Sequence, residues 1–188
     1  MEQLYRGTSK IAWSYIFLYL DVKLGTFNLL PKWAAFLLIY QAIDLLEEEE
    51  RELSLLRPFC LLLGGWEAVQ WVYFLFAGRE FVLLPLTLVA QVVSLYFHFQ
   101  LLTNLAGIAL RYQADGQGLD ARLLRLRTAQ TIVITATAFL YNLLPQLLQT
   151  HLLLLATLVL PSAVLAFCLT TALFALRRCF AVDGALPH

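Results

Sequence analysis

The chain has 188 residues, of which 61% are hydrophobic and 14% charged, with a formal net charge of zero and a mean hydropathy of +0.74. That balance excludes a water-soluble globular domain, which needs more polar surface than these residues supply. It also excludes a global attraction to nucleic acid or anionic lipid, so the placement of the charges carries the information rather than their sum.

Met1 to Lys10 is a short polar lead containing Arg6 and Lys10. The first apolar segment runs from about Tyr5 or Ser9 to Asp21 and predicts helix one. It contains Tyr, Trp and Asp21, and no small-residue cleavage site follows, so it reads as a retained helix rather than a signal peptide. Val22 to Leu30 is a loop. Helix two starts at Pro31, where the missing N–H costs nothing in a first turn. It carries Trp33 to Leu46 and is expected to continue as helix through the acidic run Glu47 to Glu52. Such a run cannot lie in hydrocarbon and marks a water-facing junction.

Helix three spans Pro58 to about Ala77 and turns at Gly78-Arg79-Glu80. Helix four runs from Pro85 to about Arg111. Ala114 to Asp120 is the longest polar break, after which Arg122, Arg125 and Arg127 lead into helix five, ending near Asn142. Helix six spans Pro145 to about Leu176, with a kink expected at Pro161. Arg177-Arg178 close it.

The segments Phe27 to Pro31, Phe81 to Pro85 and Tyr141 to Pro145 are near copies, each an aromatic followed three and four positions on by Leu-Pro. They read as three turns, each launching the second helix of a hairpin. The fold class is therefore all-α: a polytopic membrane protein, residues 1–188 forming one integral membrane domain. Its six transmembrane helices form three repeated hairpins over about 5–56, 57–113 and 119–178.

With a cytoplasmic N-terminus, ten cations (Arg6, Lys10, Arg51, Arg57, Arg111, Arg122, Arg125, Arg127, Arg177, Arg178) lie on the inner side. Three (Lys23, Lys32, Arg79) lie on the outer side. The positive-inside rule then puts both termini in the cytoplasm of a plasma (inner) membrane protein.

The run Tyr19-Leu20-Asp21-Val22-Lys23-Leu24-Gly25, followed by Leu30-Pro31, the acidic junction and Leu56-Arg57-Pro58-Phe59, resembles a group of small uncharacterised bacterial multi-pass membrane proteins. The resemblance covers about residues 11–59. Lys32-Trp33 departs from the acidic-aromatic pair usual in that group. The resemblance implies class and topology, and no activity.

Ionisable and polar groups inside a bilayer are costly and are the first candidates for function. Asp21, at the carboxyl end of helix one where the helix dipole disfavours it, reads either as an interfacial tie or as a contact at the outer mouth. Glu67 and Gln70 share a face beside Gly64-Gly65, where a second helix can approach closely. They read as a ligand-binding pair or as hydrogen-bonded packing residues. On helix four, Thr87, Gln91, Ser94 and His98 fall within about 60° of one another at 100° per residue. That stripe is expected to face the interior and to meet Glu67.

Thr128, Thr131 and Thr135 follow helical spacing, but threonines commonly bond back to their own helix. His151 reads as interfacial. Cys60, Cys168 and Cys179 lack metal-ligand spacing and read as buried small hydrophobes. No phosphate loop, HExxH, CxxC or GxSxG occurs.

Two functions are consistent with these residues. One is small-molecule or ion binding and transport through a central polar cavity, with Asp21, Glu67, Gln70, Gln91, Ser94 and His98 as ligand-binding residues and no catalytic residue, metal or cofactor. The other is a non-catalytic structural or accessory membrane subunit whose acidic junction docks a partner. In both, the expected surroundings are the lipid bilayer and either a second copy or another membrane protein, with no nucleic acid.

Overall fold

The computed structural model describes residues 1–20, 23–24, 27–28, 31–79, 83–114, 116–143 and 152–181. Six α-helices account for most of them: α1 (Glu2–Tyr19), α2 (Lys32–Leu46), α3 (Arg57–Ala77), α4 (Leu84–Tyr112), α5 (Leu119–Leu143) and α6 (Leu152–Cys179). Between α1 and α2 a minimal antiparallel ribbon pairs β1 (Lys23–Leu24) with β2 (Phe27–Asn28), in the register Lys23 to Asn28 and Leu24 to Phe27. The helices pack in sequential order and α6 returns to α1, so they close into a ring.

The helices alternate in direction, and one end of the ring collects the charged segments. The start of α1 lies against the end of α2, because Gly7 sits beside Leu46. Arg177 of α6 donates to Tyr5 Oη of α1, and Tyr112 of α4 packs edge-on to Phe180, with centroids 5.4 Å apart. The core is thickest at this charged end. Ile11, Ile43, Leu46, Leu56, Leu101, Leu105, Ile108 and Leu173 are all buried there. The last three turns of α4 are enclosed on nearly every side, which a helix needs when it carries apolar residues all round.

Three helices are long and apolar enough to cross a membrane. These are Arg51–Ala77, with a mean hydropathy of 1.4, Pro85–Tyr112, also 1.4, and Thr157–Cys179, at 2.2. Most of each faces outward: Phe76 is 88% exposed, Val92 67% and Phe167 71%. Apolar surface of this extent is rare on soluble monomers and fits a hydrocarbon solvent. The other three helices fall short for physical reasons. α2 has 15 residues, about 22 Å at 1.5 Å per residue against a core of about 30 Å. α1 holds Arg6 and Lys10, and α5 begins with three arginines.

The expected continuation of α2 through the acidic run does not occur. The helix ends at Leu46, Glu47 to Glu49 form a turn, and a separate 3-10 helix occupies Arg51–Leu56. Glu50 is extended, with φ −134° and ψ 93°. Four successive carboxylates at the negative end of a helix repel one another and the dipole. Breaking there also buries Leu53 and Leu56 completely.

The broken segment is then clamped. Arg57 pairs with Asp44 and, at 2.8 Å, with Glu47. Arg111 of α4 pairs with Glu50 and donates to Glu49 O at 2.7 Å. Gln100 Nε2 donates to Glu52 at 3.2 Å. Arg111 is about half exposed, so Arg111→Ala should lower stability by no more than about 1 kcal/mol. The loss should shrink in high salt, as thermal midpoints in detergent at low and high ionic strength would show.

α3 runs unbroken through Gly64-Gly65, and α6 runs unbroken through Pro161. Gly64 permits a close approach to α2, since a Cβ there would lie 3.1 Å from Phe36 Cβ. Cys60 is buried and donates its thiol to Phe36 O at 3.0 Å. α5 starts under a side-chain cap, with Gln113 Oε1 accepting from Leu119 N at 2.7 Å and Gln113 Nε2 donating to Asp120 at 2.8 Å.

Candidate functional site

In the half of the ring away from the charged end the packing thins. A cavity of about 270 Å³ opens there between α1, α4, α5 and α6, roughly nine waters' worth at ~30 Å³ each. Tyr19 enters from the last turn of α1, Gln91 from α4, Gln130, Thr137 and their neighbours from α5, and Ser162 with Leu165 from α6. The lining is predominantly aliphatic. Its polar groups are two amides, a phenol and two hydroxyls, and no described lining residue is charged.

The polar groups are not all occupied by one another. Gln130 is 4% exposed, and its Nε2 donates to Tyr19 Oη at 3.1 Å. Its Oε1 is buried and, among the described residues, has no hydrogen-bond partner. Thr137 Oγ1 is in the same condition. That is unusual on this helix. Thr128 and Thr131 of α5 bond back to Leu124 O and Arg127 O, at 3.0 and 2.9 Å, the normal way for a helical threonine to satisfy itself. Buried polar atoms are nearly always paired. Both atoms lie on the wall of one cavity, whereas others of the kind, among them Trp33 Nε1, Asn104 Nδ2 and Arg127 Nε, belong to residues outside its lining.

The sequence-predicted residues divide accordingly. Three residues of the helix-four stripe turn inward, while Thr87 bonds back to Leu83 O at 3.2 Å near the exposed start of α4. Gln91 lines the cavity, Ser94 is half-buried and His98 is buried at 8% exposure. Val89 and Val92 on the same helix are 56% and 67% exposed. His98 does not open into the cavity. Its Nδ1 is hydrogen-bonded to Tyr15 Oη of α1 at 3.0 Å, and the two rings meet edge-on. Glu67 and Gln70 are half-buried on α3 and engaged in contacts of their own, and α3 contributes no residue to the cavity lining. Asp21 and His151 lie outside the described residues, as do 29–30 of the first repeated turn, 81–82 of the second and 144–145 of the third, whose first three residues belong to the end of α5.

Tyr19, Gln130 and Thr137 were missed by sequence reasoning. Gln130 and Thr137 are seven residues apart, two helical turns on one face. A single glutamine amid apolar residues was the only available signal. Among the described residues no group of three or more His, Cys, Asp or Glu side chains could hold a metal. No known protein family, curated protein or solved structure matches the chain.

Proposed function

We propose that all six helices cross the plasma membrane, the ring carrying α1, α2 and α5 although each is too short or too charged to cross alone. Both termini are in the cytoplasm, and the protein binds a small, neutral, largely apolar molecule in the cavity between α1, α4, α5 and α6. The observation that carries this reading is the pair of unpartnered buried atoms, Gln130 Oε1 and Thr137 Oγ1, on the wall of one apolar cavity. A carbonyl acceptor beside a hydroxyl suits a ligand that donates at least one hydrogen bond. The absence of charge among the described lining residues disfavours an ion, which would need a compensating partner in so aliphatic a site. The ligand class is thus an alcohol, amide or phenol of modest size, and entry or release proceeds from the half away from the filled charged end.

An accessory role resting on a free acidic docking face has less support. Asp44, Glu47 and Glu50 are taken up by Arg57 and Arg111.

A thermal-shift screen of small alcohols, amides and phenols against purified protein tests the proposal, with Gln130→Leu/Thr137→Val as the comparison. Compounds that raise the midpoint of the wild type and leave the double variant unmoved support it. A screen without hits, or hits that shift both proteins equally, removes it. Thr137→Val alone should raise the ligand-free stability by about 1 kcal/mol, because it deletes an unsatisfied buried hydroxyl at constant volume.

A further inference from the structure

The cations at the charged end of the ring fall into two groups. Those of α3 and α4, Arg57 and Arg111, are paired with carboxylates. Those at the start of α5 are not: among the described residues no carboxylate meets Arg122 or Arg125. Arg122 donates to Thr171 Oγ1 of α6 at 3.3 Å, and Arg125 reaches only Ala121 O, also 3.3 Å, on its own helix. The nearest acid in sequence, Asp120, is held by Gln113. Both arginines are exposed. Both also lie in the first two turns of α5, where the helix dipole adds to their repulsion and favours an anion.

Directly along the helix from Arg125 lies an apolar groove of about 560 Å³, formed on the outward face of α5 by residues that include Ile132, Ala136 and Phe139. At 100° per residue these three fall within about 40° of Arg125. Ile132 is 62% exposed and Phe139 55%. At 1.5 Å per residue Ile132 is about 10 Å, Ala136 about 16 Å and Phe139 about 21 Å beyond Arg125. The first two match the depth of one leaflet, about half of a ~30 Å hydrocarbon core, and Phe139 lies just past its end.

From this arrangement we propose that the outward face of α5, with Thr171 of α6 at its charged end, binds an anionic phospholipid. The phosphate is held by Arg122 and Arg125 beside the Thr171 hydroxyl, and one acyl chain lies in the groove along Ile132, Ala136 and Phe139. Guanidinium groups suit the task because they present a planar fork of donors to phosphate oxygens. Their long stems lie on the apolar helix surface while the heads reach the headgroup layer. The site is separate from the ring cavity and does not depend on the ligand proposed for it.

The test is native mass spectrometry and thermal shift of the detergent-purified full chain, titrated with dioleoylphosphatidylglycerol, dioleoylphosphatidylcholine or inorganic phosphate. The proteins compared are the wild type, Arg122→Gln/Arg125→Gln and a charge-matched control, Arg6→Gln/Arg51→Gln. Phosphatidylglycerol should bind the wild type and the control with similar affinity. It should bind the Arg122/Arg125 variant about thirtyfold more weakly, the loss expected from two arginines at a lipid surface. Phosphatidylcholine and free phosphate should not shift the midpoint.

Equal losses in the variant and the control would show attraction to bulk charge and overturn the site. A response to inorganic phosphate matching that to phosphatidylglycerol would overturn the lipid assignment. If the Arg122/Arg125 variant does not fold, the wild type still decides, because failure to prefer phosphatidylglycerol over phosphatidylcholine overturns the proposal.

Discussion

Gly7→Leu should lower the stability of the protein by about 3 kcal/mol, the largest effect expected of a replacement at any of the described glycines. A Cβ at Gly7 would lie 2.6 Å from Leu46 Cγ and 2.8 Å from Leu46 Cδ2, and Leu46 is completely buried. The added side chain has to displace a core leucine at the point where α1 meets the end of α2, the overpacking case that typically costs 1–3 kcal/mol or more. Better helix propensity returns about 1 kcal/mol of that.

The control is Gly65→Leu, where a Cβ would meet nothing within 4 Å and propensity alone acts, so no loss is expected. Thermal midpoints in detergent separate the two. Leu46→Ala, destabilising by itself, should partly rescue Gly7→Leu by making room. Equal midpoints for the two glycine variants would contradict the close approach of α1 and α2.

Removing either half of the Tyr15–His98 pair should cost about 1–3 kcal/mol. Tyr15 is fully buried and His98 nearly so, and each is hydrogen-bonded to the other across the ring at 3.0 Å. Tyr15→Phe strands a ring nitrogen in an apolar interior, and His98→Leu strands a phenol. The desolvation of the orphaned group, more than the lost bond, sets the size of the effect. The double variant should therefore be less destabilised than the sum of the singles, with a coupling of about 0.5–3 kcal/mol. Additive losses would mean that the two side chains do not depend on each other. Ligand binding in the ring cavity should survive Tyr15→Phe, since neither Tyr15 nor His98 is among its lining residues.

The helices themselves were legible. Proline at positions 58 and 85 marked the starts of α3 and α4 to within a residue, because a first turn is where proline costs a helix nothing. Pro161, inside α6, shows that the rule is a preference. The inward turn of Gln91 and His98 followed from their spacing.

What failed was pairing at a distance. His98 was expected to meet Glu67 because α3 and α4 form one hairpin, yet the hydrogen bond that holds it comes from Tyr15, 83 positions away. Glu47 to Glu52 read as a solvated helical face. It is instead a bend locked by Arg57 and by Arg111, which lies 61 positions beyond Glu50. A helical period states which residues share a face and is silent on which helix that face meets.

Composition and spacing by themselves determined that this chain is helical and apolar enough for a membrane, where α2, α3 and α4 start, and which face of α4 turns inward. These properties depend on neighbours within a turn or two. α1 and α5 start earlier than their charged leads suggested, at Glu2 and Leu119. Only the tertiary structure decided that α6 closes onto α1 and that, among the described residues, no carboxylate meets Arg122 or Arg125. It also decided that Tyr19, Gln130 and Thr137 share a cavity that Glu67 does not enter. Each of these depends on residues brought together from distant parts of the chain by the packing of whole helices.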